Sequence, residues 1–176
     1  MRKTIIVFCI AGLLIAPAFA IEKGHISVTA KASIYDPPGD AGIAPMFTLE
    51  ARYRLSAFLA IVGSGSWTTY DYNSADITYI PVAIDGELHP LGTATFDPYA
   101  GAGISFNYYE YDYDTGADDT EITLGIEALG GLSYKISDNF KFEFDCKYRI
   151  EDITDAGNTG SWSTGGGITG SWEKDL

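Results

Sequence analysis

The sequence predicts an all-β chain, an eight-stranded antiparallel up-and-down β-barrel that spans a membrane. Three observations predict it. The segment N-F-K-F-E-F-D-C-K-Y-R-I alternates strictly, with Phe140, Phe142, Phe144, Cys146, Tyr148 and Ile150 on one parity and Lys141, Glu143, Asp145, Lys147 and Arg149 on the other. Period two is the mark of a strand with two unlike faces, and a helix would scatter both sets around its circumference. Second, eight β-rich segments follow one another without a helical period, most of them ten or more residues long, where soluble strands average about five or six. Third, the connectors alternate in character: acidic and mostly longer after the odd segments, short after the even ones. That asymmetry is the habit of a transmembrane barrel.

The chain opens M-R-K-T-I-I-V-F-C-I-A-G-L-L-I-A-P-A-F-A. Arg2 and Lys3 before a short apolar run, and Ala18-Phe19-Ala20 after it, predict a secretory signal peptide over 1–20 with cleavage after Ala20. Residues 21–176 are then a single barrel domain. Cys9 leaves with the leader, bulky Ile6, Val7 and Phe8 before it arguing against a lipoprotein, so Cys146 is the single thiol and no internal disulfide forms. The whole chain carries 24 acidic against 11 basic residues, a formal charge of −13, and loss of Arg2 and Lys3 makes the mature chain more acidic still. Such a balance repels phosphate backbones and excludes nucleic acid as a partner. No later apolar run is long enough for a membrane helix.

Taken in order, the first segment, H-I-S-V-T-A-K-A-S-I-Y, puts Ile26, Val28, Ala30, Ala32 and Ile34 on one face and stops at D-P-P-G-D-A-G. The second, Met46 to Leu55, sets Phe47, Leu49, Ala51, Tyr53 and Leu55 against Thr48, Glu50, Arg52 and Arg54. After Ser56-Ala57 the third runs from Phe58 to Tyr72, the fourth from Asp76 to Pro90, the fifth from Phe96 to Tyr113 and the sixth from Glu121 to Ile136. The alternating stretch above is the seventh. The eighth, Gly160 to Trp172, carries Trp162, Thr164, Gly166, Ile168, Gly170 and Trp172 on one parity.

Periodicity alone leaves open which face meets the interior. In a soluble periplasmic, lipocalin-like barrel the apolar parity turns inward and the charged parity is a solvated face. In a membrane barrel the faces are inverted. Long segments, abundant Gly, Ser and Thr on the polar parity, and tyrosines near the acidic-loop end favour inversion. Tyr70, Tyr72, Tyr108, Tyr109, Tyr111 and Tyr113 are expected to form an interfacial aromatic girdle. The fifth segment changes parity between Tyr108 and Tyr109, which predicts either a bulge there or a strand that rises clear of the bilayer.

The stretches T-Y-I-P-V-A-I-D-G-E-L-H-P-L-G, F-D-P-Y-A-G-A-G-I-S-F-N-Y and L-S-Y-K-I-S-D-N-F-K-F-E-F-D-C-K-Y-R-I resemble the OmpW-like and OmpA-like small outer-membrane barrels, over about Thr78 to Ile150. The resemblance implies a Gram-negative outer-membrane location, with lipid, lipopolysaccharide and the barrel-assembly machinery as surroundings and partners. Likeness to OmpW implies passage of small apolar solutes; likeness to the OmpA membrane domain implies a structural part with a polar interior. The chain departs from the pattern in ending W-E-K-D-L instead of on an aromatic residue. Its length leaves no room for a separate periplasmic domain.

Catalysis is not expected. His25 and His89 both fall at the short-turn end, and no Ser-His-Asp arrangement accompanies them. No cofactor or metal is expected either: the acidic run Tyr109 to Glu121 has hard ligands but not the order of a calcium loop. The candidate constellation is a lumen charge network of Glu50, Arg52, Arg54, Asp85, Glu87, Glu127, Lys141, Glu143, Asp145, Lys147 and Arg149. An eight-stranded bore is only wide enough for side chains to fill, so these charges are expected to pair and close it.

Overall fold

Eight strands hydrogen-bond in chain order and the last closes on the first, giving a closed antiparallel barrel. They are β1 (Ile26–Asp36), β2 (Ala44–Arg54), β3 (Leu59–Tyr72), β4 (Ala75–Leu88), β5 (Phe96–Tyr113), β6 (Asp118–Lys135), β7 (Phe140–Ile150) and β8 (Ser161–Trp172). This computed structural model describes residues 26–172 apart from 74, 93–94, 114–115, 117 and 155–159. The leader, the cleavage site at Ala20, His25 and the terminal E-K-D-L lie outside the described residues.

The barrel is inverted relative to a soluble one. Phe47, Leu49, Ile84, Ile104, Phe106 and Ile168 are exposed on the outer wall, while Lys31, Glu50, Arg52, Glu127, Glu143 and Arg149 are buried inside. In water such a chain would expose its apolar parity and pay to bury its charges; against hydrocarbon both faces are matched. A closed ladder satisfies its backbone groups between strands almost throughout, which is why a barrel tolerates lipid.

Of the two readings of the fifth segment the bulge falls away, and the extent of the acidic loop is corrected. The β5 ladder to β4 runs without slip from Leu88↔Ala100 to Ala75↔Tyr113, and its ladder to β6 from Phe96↔Tyr134 to Asp112↔Asp118. There is no bulge at Tyr108. Instead the alternation continues unbroken, and the tyrosines on the odd parity turn inward above the paired charges of mid-barrel. The acidic run is also mostly strand: β5 and β6 have 18 residues each. Spanning a ~25 Å apolar band at a ~40° tilt needs only about ten, so this hairpin projects beyond the wall.

Two local features of the ladder matter later. β3 and β4 pair from Leu59↔Leu88 to Gly65↔Val82 and resume at Thr68↔Tyr79, skipping Ser66 and Trp67. Pro81 stands opposite that gap and has no N–H to donate. At the closing seam, β8 presents Gly165 and Gly167 inward; a Cβ on Gly167 would lie 2.2 Å from the Ala30 carbonyl oxygen and 2.6 Å from Lys31 Cγ. Glycine there lets β1 and β8 pair while Lys31 crosses in front of them.

Candidate functional site

The lumen fills in layers. At the short-turn end, Arg54 Nη2 donates to Asp97 Oδ2 at 2.8 Å, and the buried His89 ring sits between Glu87 at 3.1 Å and Asp97 at 3.0 Å. Above it Arg52 bridges two strands' carboxylates, Nε to Glu87 at 2.7 Å and Nη1 to Glu143 at 2.6 Å, with its guanidinium 5.5 Å over the Tyr99 ring. Lys31 forms ion pairs with Glu50, 2.7 Å away, and with Asp145. Next, Lys147 meets Asp85 at 3.3 Å and Glu127 at 2.5 Å, and Arg149 Nε donates to Glu127 at 2.6 Å. Because each strand contributes every second residue, neighbouring strands deliver opposite charges to the same height. A void of about 10 Å³ beside Lys31, Glu50 and Asp145 holds no more than about one water.

Of the eleven residues picked from sequence, ten lie in this network. Lys141, on the same parity, is half-buried at the lower mouth and joins none of these pairs. Sequence reasoning missed Lys31, His89 and Asp97. Lys31 was hidden in a segment of small residues, and the other two fall at a strand end, where alternation gives no signal. At the end of β6, Lys135 Nζ lies 2.8 Å from Asp138 in the turn that follows and holds that exposed carboxyl below its usual range.

The outer end is built differently. Tyr35, Met46, Ile77, Tyr79 and Tyr109 form a buried cluster, with Tyr70 and Tyr111 packed against it. Tyr79 and Tyr109 stack at 4.6 Å, and Tyr111 and Tyr113 continue the stack at 6.3 Å. The expected girdle is therefore corrected: Tyr70, Tyr109 and Tyr111 face the interior, Tyr72 and Tyr113 share that inward parity at the rim, and only Tyr108 of the six follows the outward parity. Outward aromatics come from elsewhere, as with the Phe47–Trp67 and Tyr148–Trp162 pairs.

Glu151, just past β7, is the hub below these tyrosines. Its Oε1 accepts from Tyr35 at 2.6 Å and from Ser161, and its Oε2 from Tyr109; its backbone oxygen accepts from Asn107 at 2.7 Å and Thr123 at 2.6 Å. Tyr79 links this hub to the charge network, accepting from Arg149 at 3.0 Å and donating to Asn107 at 2.9 Å. Above Glu151 opens a cavity of about 260 Å³ bordered by Tyr70, Tyr72, Ile77, Tyr109, Tyr111 and Glu121 among others.

Similar solved structures include the following three. Neisserial surface protein A aligns with TM-score 0.68 and 17% identity, over 85% of this chain and 97% of that one. The N-terminal barrel domain of Pseudomonas aeruginosa OprF gives 0.63 and 15%, over 85% and 100%. The outer membrane enzyme PagL gives 0.52 and 14%, over 81% and 97%, so this architecture also carries catalysis. At these identities the likeness concerns fold. No curated protein sequence matches. The sequence model of the outer membrane protein beta-barrel domain matches residues 6–169, and the inverted, charge-filled barrel accords with it. The chain belongs to the outer membrane protein beta-barrel domain family.

Proposed function

We propose that the protein is a non-enzymatic, structural barrel of the outer membrane whose lumen is closed to ions and sugars. The carrying observation is the bridged charge network from Arg54 to Arg149, in which Arg54–Asp97, Arg52–Glu143 and Lys147–Asp85 join non-neighbouring strands across the bore. A bore this narrow is filled by its own side chains. Catalysis finds no support in His89, whose two ring nitrogens are engaged by Glu87, Asp97 and Arg54, leaving none to activate a hydroxyl nucleophile. The exposed apolar wall suits lipid and lipopolysaccharide, delivered there by the assembly machinery after cleavage behind Ala20; intact mass of the mature chain should begin at Ile21.

Purified protein in planar bilayers should give small or rare conductance. Glu143→Gln with Asp145→Asn should raise it or unfold the barrel, because Arg52 and Lys31 lose partners. A large, stable, ohmic conductance in the unmodified protein would refute the closed lumen.

A second reading, a conduit for small apolar solutes, is favoured by the gap in the β3–β4 ladder at Pro81. The gap lies one step below Tyr79 and offers a lateral exit from the outer cavity into the bilayer. Uptake of an apolar dye into vesicles carrying the barrel should fall when Pro81→Ala restores a donor. Equal uptake by both proteins would remove this reading.

A further inference from the structure

We propose that the outer cavity binds a small, free organic cation of the alkylammonium class. Seven buried or half-buried carboxylates of the lumen each have a Lys or Arg within salt-bridge distance: Glu50, Asp145, Glu87, Glu143, Asp97, Asp85 and Glu127. Glu151 is buried to a similar degree, at 2% exposure. Among the described residues no basic side chain comes within that distance of it; its partners are hydroxyls and its charge is uncompensated. Burying a carboxylate without a countercharge is costly. A barrel that pairs the seven acids deeper in the lumen leaves this one at the floor of an open cavity.

The walls point to the class of ligand. Tyr70, Tyr72, Tyr109 and Tyr111 border the space, an aromatic lining of the kind that cages quaternary ammonium groups. Glu121 stands on the rim with Tyr111 Oη donating to it at 3.3 Å, so a second carboxylate meets an entering cation. A cavity of about 260 Å³ exceeds the ~150 Å³ that encloses a benzene ring and accommodates a ligand the size of choline. Further out, Asp71, Asp112, Asp118 and Asp119 lie on the exposed strand ends, a field that concentrates cations at the mouth and weakens with salt. A bare metal ion would gain little from tyrosine walls, and an anion would be repelled.

Titration of the folded barrel in maltoside micelles, read by tyrosine fluorescence and calorimetry, tests this with choline against its uncharged isostere 3,3-dimethylbutan-1-ol. Choline should bind, the neutral isostere should bind at least about tenfold more weakly, and raising salt should weaken choline. Phosphocholine, which brings negative charge to an acidic rim, should also bind more weakly than choline. Glu151→Gln should lose at least tenfold in choline affinity while keeping the gel-mobility shift of a folded barrel. Should that variant not fold, Tyr111→Leu at the cavity wall replaces it and should weaken choline severalfold. Equal binding of choline and isostere, no binding of choline, tighter binding of phosphocholine, or full choline affinity in a folded variant would each overturn the proposal. The readout is independent of conductance, so failure here and failure of the closed lumen are separable.

Discussion

Arg52 is the residue on which most of the lumen turns. Its guanidinium supplies four hydrogen bonds to two carboxylates from different strands, Glu87 on β4 and Glu143 on β7, a fork geometry that lysine cannot reproduce. Arg52→Met should cost about 3 to 5 kcal/mol, since both carboxylates stay buried without their shared cation. Urea unfolding of the barrel in vesicles would measure it, and an unchanged midpoint would show that the two acids find other partners. Arg54→Met should cost less, because Arg54 is nearer the mouth and water can solvate Asp97 once the pair is broken. Glu151 marks where single-residue reading stops: in the sequence it is one more acid ahead of an acidic loop, and only the ring of hydroxyls around it shows it to be a hub.

At the scale of the strand, facing decides cost. Phe144 pairs across to Leu132 and Gly166 near the middle of β7 and points outward. Phe144→Lys should destabilise by roughly 2 to 4 kcal/mol, and Phe140→Lys at the strand end by about 0 to 1, the depth dependence of a lipid face; equal effects would argue against a bilayer around this wall. Pro81→Ala should stabilise by about 1 kcal/mol if the restored N–H finds an acceptor on β3. The strands themselves were legible because two-residue periodicity survives any tertiary context. β7 and β5 begin or end within a residue of where the alternation does. What periodicity could not convey is height. The same inward parity holds charges in mid-barrel and tyrosines above, so a run of tyrosines at the outer end read as a lipid-facing belt although five of the six share the inward parity. Ala44 and Pro45 were left off β2 for a related reason: proline discourages a strand reading, yet it pairs with Ile34 close to the loop end.

For the whole molecule, the closed ladder and the inverted faces predict that the protein sediments with the outer membrane and migrates anomalously on gels until boiled. A soluble periplasmic species without a mobility shift would contradict the inversion. The order of assembly follows from Lys31. It is on β1, yet its salt-bridge partners are Glu50 on β2 and Asp145 and Glu143 on β7, so its contacts with β7 reach across the glycines of β8. Neighbouring strands can pair as hairpins with little loop to close, whereas β1 meets β8 only after the whole chain has been gathered. Lys31 is then a latch thrown last, with its hold on β7 absent from every open-sheet intermediate. Contacts missing from the transition state govern the rate of opening more than the rate of closing. Lys31→Met should therefore shorten the lifetime of the folded barrel in denaturant while leaving its refolding rate nearly unchanged, and stopped-flow folding into vesicles can read both arms.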